Sequence, residues 1–233
     1  MGIGGSSLGT PLLRLIAGAP PLISLATPMP VMLPSSLSGG FAYLREQKID
    51  FKLAGWMLVT AIPFAWIGAA TTQYVSGQFL MILTSIFLIG VGTSFLIRSA
   101  LFRLVEEELE IPREIWPAKA MLFGMVGGFL AGLLAIGGGV IYVPVFVRVF
   151  SRPMKVALAT SLAVVTLVAI PGSIEHALLG HIDWAMAGMM ALGAFPASFF
   201  GARLALRLRN RTLEQIFGAA TICFGIFFLI TQI

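Results

Sequence analysis

Charge is what this sequence has least of. Of its 233 residues only 11% are Asp, Glu, Lys or Arg, against 58% hydrophobic, whereas a soluble domain carries about 25% charged residues. So few charges cannot coat a water-facing surface of this size, which excludes an ordinary soluble globular domain. Cysteine is almost absent as well. Cys223 stands alone in ATICFGIFFLI, which excludes an internal disulfide and reads as a small buried hydrophobe. The opening residues MGIGGSSLGTPLL have no basic stretch ahead of an apolar core, so no cleavable leader is expected. No phosphate-binding G-x-x-x-x-G-K-[ST] loop and no H-E-x-x-H pair occur, leaving no motif for a nucleotide-driven pump or a zinc hydrolase. The net charge of +5 does not indicate nucleic acid, because the basic residues fall between apolar runs, as membrane topology requires.

What is present is a series of apolar runs long enough to cross a hydrocarbon core of about 30 Å as helices. They lie near 20–42, 53–75, 77–99, 119–136, 154–174, 184–206 and 212–232. Two shorter ones, near 8–17 and 140–150, are bounded by glycine or proline. The clearly aqueous insert is 102–118, FRLVEEELEIPREIWPA, which holds half of the acidic residues. Sliding the chain on itself by 133 residues superimposes its two halves without a gap. GIGG-x6-P at 2–11 meets AIGG-x6-P at 135–144, Leu25-Ala26-Thr27 meets Leu158-Ala159-Thr160, and Ile49-Asp50 meets Ile182-Asp183. Gly39 meets Gly172, Pro63 meets Pro196, and Gly68-Ala69 meets Gly201-Ala202. The chain is a duplication.

Basic residues in short loops favour the cytoplasm, and their placement orients the copies. The loop YLREQKIDFK of the first copy carries Arg45, Lys48 and Lys52, while its counterpart HALLGHIDWA carries none. After the third helix the pattern reverses: TTQYVSGQ in copy one, RLALRLRNR in copy two. Inverting one copy puts every basic residue except Arg14 on one side; a parallel arrangement splits them about evenly. The expected fold is therefore all-α and polytopic, with two inverted-topology repeats whose short glycine-broken segments are thin or re-entrant. Repeat one is 1–101, a cytoplasmic linker spans 102–118, and repeat two is 119–233. Nothing in repeat one corresponds to the limb 119–133, so its first helix is expected to be missing.

Residues 133–144, LLAIGGGVIYVP, interrupt an apolar helix with Gly137, Gly138 and Gly139. A break at membrane depth is tolerated only where protein or a watery cavity satisfies the backbone, and secondary transporters place such breaks at the interface of inverted repeats. The free N–H groups of the helix that restarts near Val140 suit an anion. The first copy offers Gly4, Gly5 and Ser6 in the same register. Thr160 and Ser161, and Thr27 at the matching position, either bind an oxyanion or bond back to the preceding helical turn. Pro11 and Pro144 shape the short limbs. Asp50 and Asp183 open helices and read as N-caps. Arg148 either snorkels or reaches an anion. Glu175 and His176 end a helix on the expected outer side, where a proton relay is conceivable. The glycines of GMVGG and GFLAG at 124–132 read instead as tight helix packing.

GIGGG followed by V-P, a later ALATS, a loop ending in ID before a helix, and the duplication together resemble the sulfite exporter TauE/SafE family. Nearly the whole chain fits, best in LLAIGGGVIYVP, KVALATSLAV and GHIDWAMAGMMALGAFPASFFGARLA. Repeat one departs, reading GIGGS and ATP where repeat two reads GIGGG and ATS. The resemblance implies a multi-pass permease of the bacterial inner membrane that exports sulfite or an organosulfonate, with no cofactor or metal and no enzymatic role. Alternating access around a midplane site is the expected mechanism, with the C-terminus periplasmic. The expected partners are a small anion (sulfite, sulfonate or carboxylate), H+ as candidate coupling ion, the lipid bilayer and further copies of the chain, with no nucleic acid. A passive anion channel built on the same repeats is the alternative, with an intramembrane enzyme behind it.

Overall fold

The computed structural model describes residues 9–10, 13–14, 17–101, 115–136 and 138–230. Those residues form α1 (Pro21–Ala26), α2 (Pro28–Arg45), α3 (Phe51–Thr71), α4 (Gly77–Leu101), α5 (Pro117–Leu134), α6 (Gly139–Arg148), α7 (Met154–Leu178), α8 (Trp184–Arg207) and α9 (Asn210–Ile230). Among the described residues there is no strand, and six helices, α3, α4, α5, α7, α8 and α9, are long and apolar enough to cross a membrane. Large apolar side chains cover the outside, including Leu192, Phe200 and Trp184 of α8, as a lipid-facing surface requires. The chain is a polytopic α-helical membrane protein.

The run expected as one helix near 20–42 is instead two, meeting at Thr27. Pro28 and Pro30 lack N–H groups, so the ladder loses its bonds to the carbonyls four residues earlier. Where α2 has Pro28, α7 has Ser161, and α7 runs unbroken from Met154 to Leu178. The acidic insert ends earlier than expected, since α5 begins at Pro117, whose fixed φ suits a first helical turn. Residues 102–114 lie outside those described. Cys223 is a correction: it is exposed on α9, on the outer surface of the bundle.

The helices pack through small residues. A Cβ on Gly124, Gly128 or Gly132 of α5 would lie 2.3, 2.3 and 2.0 Å from the carbonyls of Met57, Ala61 and Ala65 on α3. The register advances together, so α5 runs parallel to α3, and only glycine permits this approach. In the centre α2 and α7 run antiparallel: Gly172 meets Met29, Thr166 Oγ1 donates to Ser36 Oγ at 2.7 Å, and Gly39 faces Leu162. α4 and α9 also cross antiparallel, with Gly92 against Gly218 and Ile222, and Gly225 against Ser85 and Ile89. Those two contacts are related by the same 133-residue offset. α7 is the most enclosed span, with 72% of its apolar window buried, and α8 the least, with 11%.

Candidate functional site

Ala135 ends α5 in the left-handed region, at φ 48°, a conformation that costs a residue with a Cβ roughly 1–2 kcal/mol. The chain turns through Gly138 and restarts as α6 at Gly139. Ten residues at 1.5 Å each make α6 about 15 Å long, half of a bilayer core of about 30 Å. Gly139, Val140, Ile141, Tyr142 and Val143 are all buried. Gly137, together with Gly4, Gly5, Ser6 and Pro11, lies outside the described residues.

Tyr142 fills the space beside the break. Helical side chains lean toward the N-terminus of their own helix, and the Tyr142 ring leans back over Gly138, where a Cβ would meet it at 2.2 Å. Its other edge lies against Gly127 of α5, where a Cβ would meet it at 2.4 Å. The phenol is fully buried and its hydroxyl has no hydrogen-bond partner among the described residues. An unsatisfied buried donor costs about 1–3 kcal/mol. The sequence reading passed over it, although a ring four residues after Gly138 is placed to fold back onto that glycine.

The threonines do something the sequence did not show. Thr160 Oγ1 accepts the backbone N–H of Asp50 at 3.0 Å, and Thr27 Oγ1 accepts that of Asp183 at 3.0 Å. Each bond joins one sequence half to the other, and the two are related by the 133-residue offset. Because α2 and α7 are antiparallel, the bonds lie at opposite ends of that pair, roughly 20 Å apart at 1.5 Å per residue. One small anion cannot touch both threonines at once. Ser161 Oγ donates back to Leu158 O at 2.8 Å. Asp50 and Asp183 are N-caps, accepting from Leu53 N and Met186 N at 3.0 Å each.

The two ends differ chemically. Asp50 Oδ2 also pairs with Arg152 Nη2 at 2.7 Å, with Arg152 only 4% exposed. Ser151 there is left-handed, at φ 50°, and Arg152 N donates to Phe146 O. A cavity of about 380 Å³ opens beside this pair, between Trp116, which precedes α5, Lys119 of α5 and the segment Val149–Arg152. At the other end His176 Nε2 contacts Gly132 O at 3.2 Å and His181 lies beside His176. Arg148 Nη2 donates to Ser94 O at 2.6 Å. Among the described residues no group of three or more His, Cys, Asp or Glu is placed to hold a metal.

The profile of the family "Sulfite exporter TauE/SafE" matches residues 1–228. Relatives include two "probable membrane transporter" proteins of Bacillus subtilis, YunE, 25% identical over 97% of this chain and 89% of the relative, and YjnA, 26% identical over 97% and 91%. The Methanocaldococcus jannaschii protein MJ0441, also a probable membrane transporter, is 25% identical over 98% of this chain and 89% of its own length. No solved structure matches the chain. Six membrane-length helices, a buried interruption of the backbone and this profile lead to one conclusion: the chain belongs to the sulfite exporter TauE/SafE family of membrane transporters.

Proposed function

We propose that the protein is a secondary transporter that exports a small anion, sulfite or an organosulfonate, across the bacterial inner membrane. In this reading residues 1–101 and 119–233 are inverted repeats joined by a cytoplasmic linker, and they rock against each other around a midplane site. The observation that carries it is the interruption between Ala135 and Gly139 beside the unpartnered hydroxyl of Tyr142. Free amides at the start of α6 and a buried phenol donor together present hydrogen atoms to an oxyanion where no water competes. Gly137, Gly138 and Gly139 form the cradle, and Gly4, Gly5 and Ser6 contribute from the first repeat. Thr27, Thr160 and Ser161 line the two approaches. The Thr–Asp bonds hold those approaches shut, and the hydroxyls turn to the anion when an approach opens. Lys119 beside the Arg152 cavity draws anions to one mouth.

Purified protein in liposomes, loaded with labelled sulfite or sulfoacetate, tests this reading. Wild-type vesicles release the anion faster than empty ones, and Gly138→Leu abolishes the flux while inserting normally. Tyr142→Phe removes one oxygen only, and weakens the apparent affinity about tenfold, or about 1.4 kcal/mol. Wild-type affinity in that variant rejects the phenol as a ligand.

A further inference from the structure

The protein has two histidines, and the fold brings them together. His176 stands in the last turn of α7, 2% exposed. Its Nε2 is 3.2 Å from the carbonyl oxygen of Gly132, which can only accept, so Nε2 carries the hydrogen. The Nδ1 of neutral His176 is then a lone pair, and His181 Nδ1, 3.4 Å away, must be the donor. Both tautomers are fixed by one carbonyl. His181 Nε2, used by neither contact, is the nitrogen left to take a proton, and its ring sits half-buried in the loop after α7.

We propose that His176 and His181 form a one-proton site that ties the end of α7 to the last turn of α5, just ahead of the glycine interruption. A proton binds at His181 Nε2. The charge stays on the half-exposed His181 ring, because His176 is 2% exposed and burial disfavours a cation, and His181 Nδ1–H becomes a charge-assisted donor to His176 Nδ1. A second proton would set two cations side by side with ring centres 5.7 Å apart, so the pair holds one. In the loaded state the bond between the rings is charge-assisted, about twice as strong as the neutral one, and it polarises the His176 Nε2–H that Gly132 O accepts.

Gly132 packs directly on α3, where a Cβ would lie 2.0 Å from Ala65 O. Loading therefore tightens the α5–α7 tie three residues before Ala135, and unloading loosens it. The charged neighbours in sequence are Glu175 on α7 and Asp183, whose carboxylate caps Met186 N. From α5 and α3, residues 121–136 and 53–74 contribute no charged group, nor does α8 before Arg203. At the opposite end the same offset places Tyr43 and Lys48, neither of them an imidazole. The switch exists at one end only.

The site stands on its own geometry; its effect on flux rests on the transport reading above. Nitrogen-15 histidine spectra of the full chain in nanodiscs test the site directly. Near neutral pH they show one Nε2–H and one Nδ1–H tautomer, and on acidification both rings shift with one midpoint and one proton taken up. In His176→Gln, which still donates to Gly132 O, His181 titrates alone, at a midpoint displaced from that of the wild-type pair. Two independent wild-type midpoints, or a His181 midpoint unmoved in His176→Gln, overturn the site. In sulfite-loaded liposomes, wild-type flux varies at least about fivefold between about pH 8 and pH 5.5, and His176→Gln flattens the profile. Spectra as expected with no wild-type sulfite flux reject the transport reading and leave the proton site standing. An unchanged pH profile in the variant rejects the coupling.

Discussion

The guanidinium of Arg152 lies 2.7 Å from the Asp50 carboxylate, while the Asp50 amide donates to Thr160 and its other oxygen caps Leu53. One aspartate thus fastens the end of α6, the start of α3 and the second turn of α7. Asp50→Asn keeps the cap, since Asn caps as well as Asp, but takes the Asp50 charge away from a buried guanidinium. The expected loss is about 3 kcal/mol, against under about 1 kcal/mol for Asp183→Asn, read by thermal unfolding in detergent.

The paired Thr–Asp bonds are separable. Thr160→Val strands the Asp50 amide and costs about 1–3 kcal/mol, Thr27→Val costs a similar amount at Asp183, and Ser at either position restores most of it. With the two sites roughly 20 Å apart, the double variant sums the single losses to within about 0.5 kcal/mol. A larger departure in unfolding measurements means that the two ends are coupled.

Lys48 precedes Asp50, and His181 precedes Asp183, at opposite ends of the antiparallel α2–α7 pair. Lys48→Cys and His181→Cys, each in a Cys223→Ser background, are expected to react with impermeant thiol reagents from opposite faces of sealed vesicles. Labelling of both from one face contradicts the inverted arrangement.

Glycines that look alike in sequence have unlike roles. Gly128→Ala drives a methyl into Ala61 O and separates α5 from α3, costing about 1–3 kcal/mol. Gly193→Ala on α8 has open space around it and is neutral or stabilising by up to about 1 kcal/mol. Parallel unfolding curves in detergent check the contrast.

Burial in the loop lowers the His181 pKa from its ordinary 6.5. The unfolded chain therefore binds protons more readily than the folded one, so stability is flat above about 6.5 and falls as the pH drops below it. His181→Asn is expected to remove part of that acid slope. Unfolding midpoints taken from about pH 8 to about pH 5 measure it.

Much was legible in the residues alone. Hydropathy located six of the seven expected spans, and Asp50 and Asp183 were identified as caps, because these depend on periodicity and local backbone chemistry. The Gly124–Gly132 seam was legible as helix packing for the same reason. The family resemblance rested on short motifs at fixed spacing, and those survive in the linear chain. Tyr142, Arg152 and the two histidines were not legible as members of a site. A phenol beside glycines, an arginine after a short helix or a histidine at a helix end has no meaning until its neighbour is known.

The sequence by itself determined that the chain lives in lipid, where its helices begin, and that its backbone must be interrupted at the glycines, since hydrophobicity and main-chain sterics are local. Only the tertiary structure decided which carbonyl faces His176, which aspartate neutralises Arg152, and that Thr27 and Thr160 lie at opposite ends. Those are contacts between residues up to 156 positions apart. Nothing in the local chain encodes them before the helices pack.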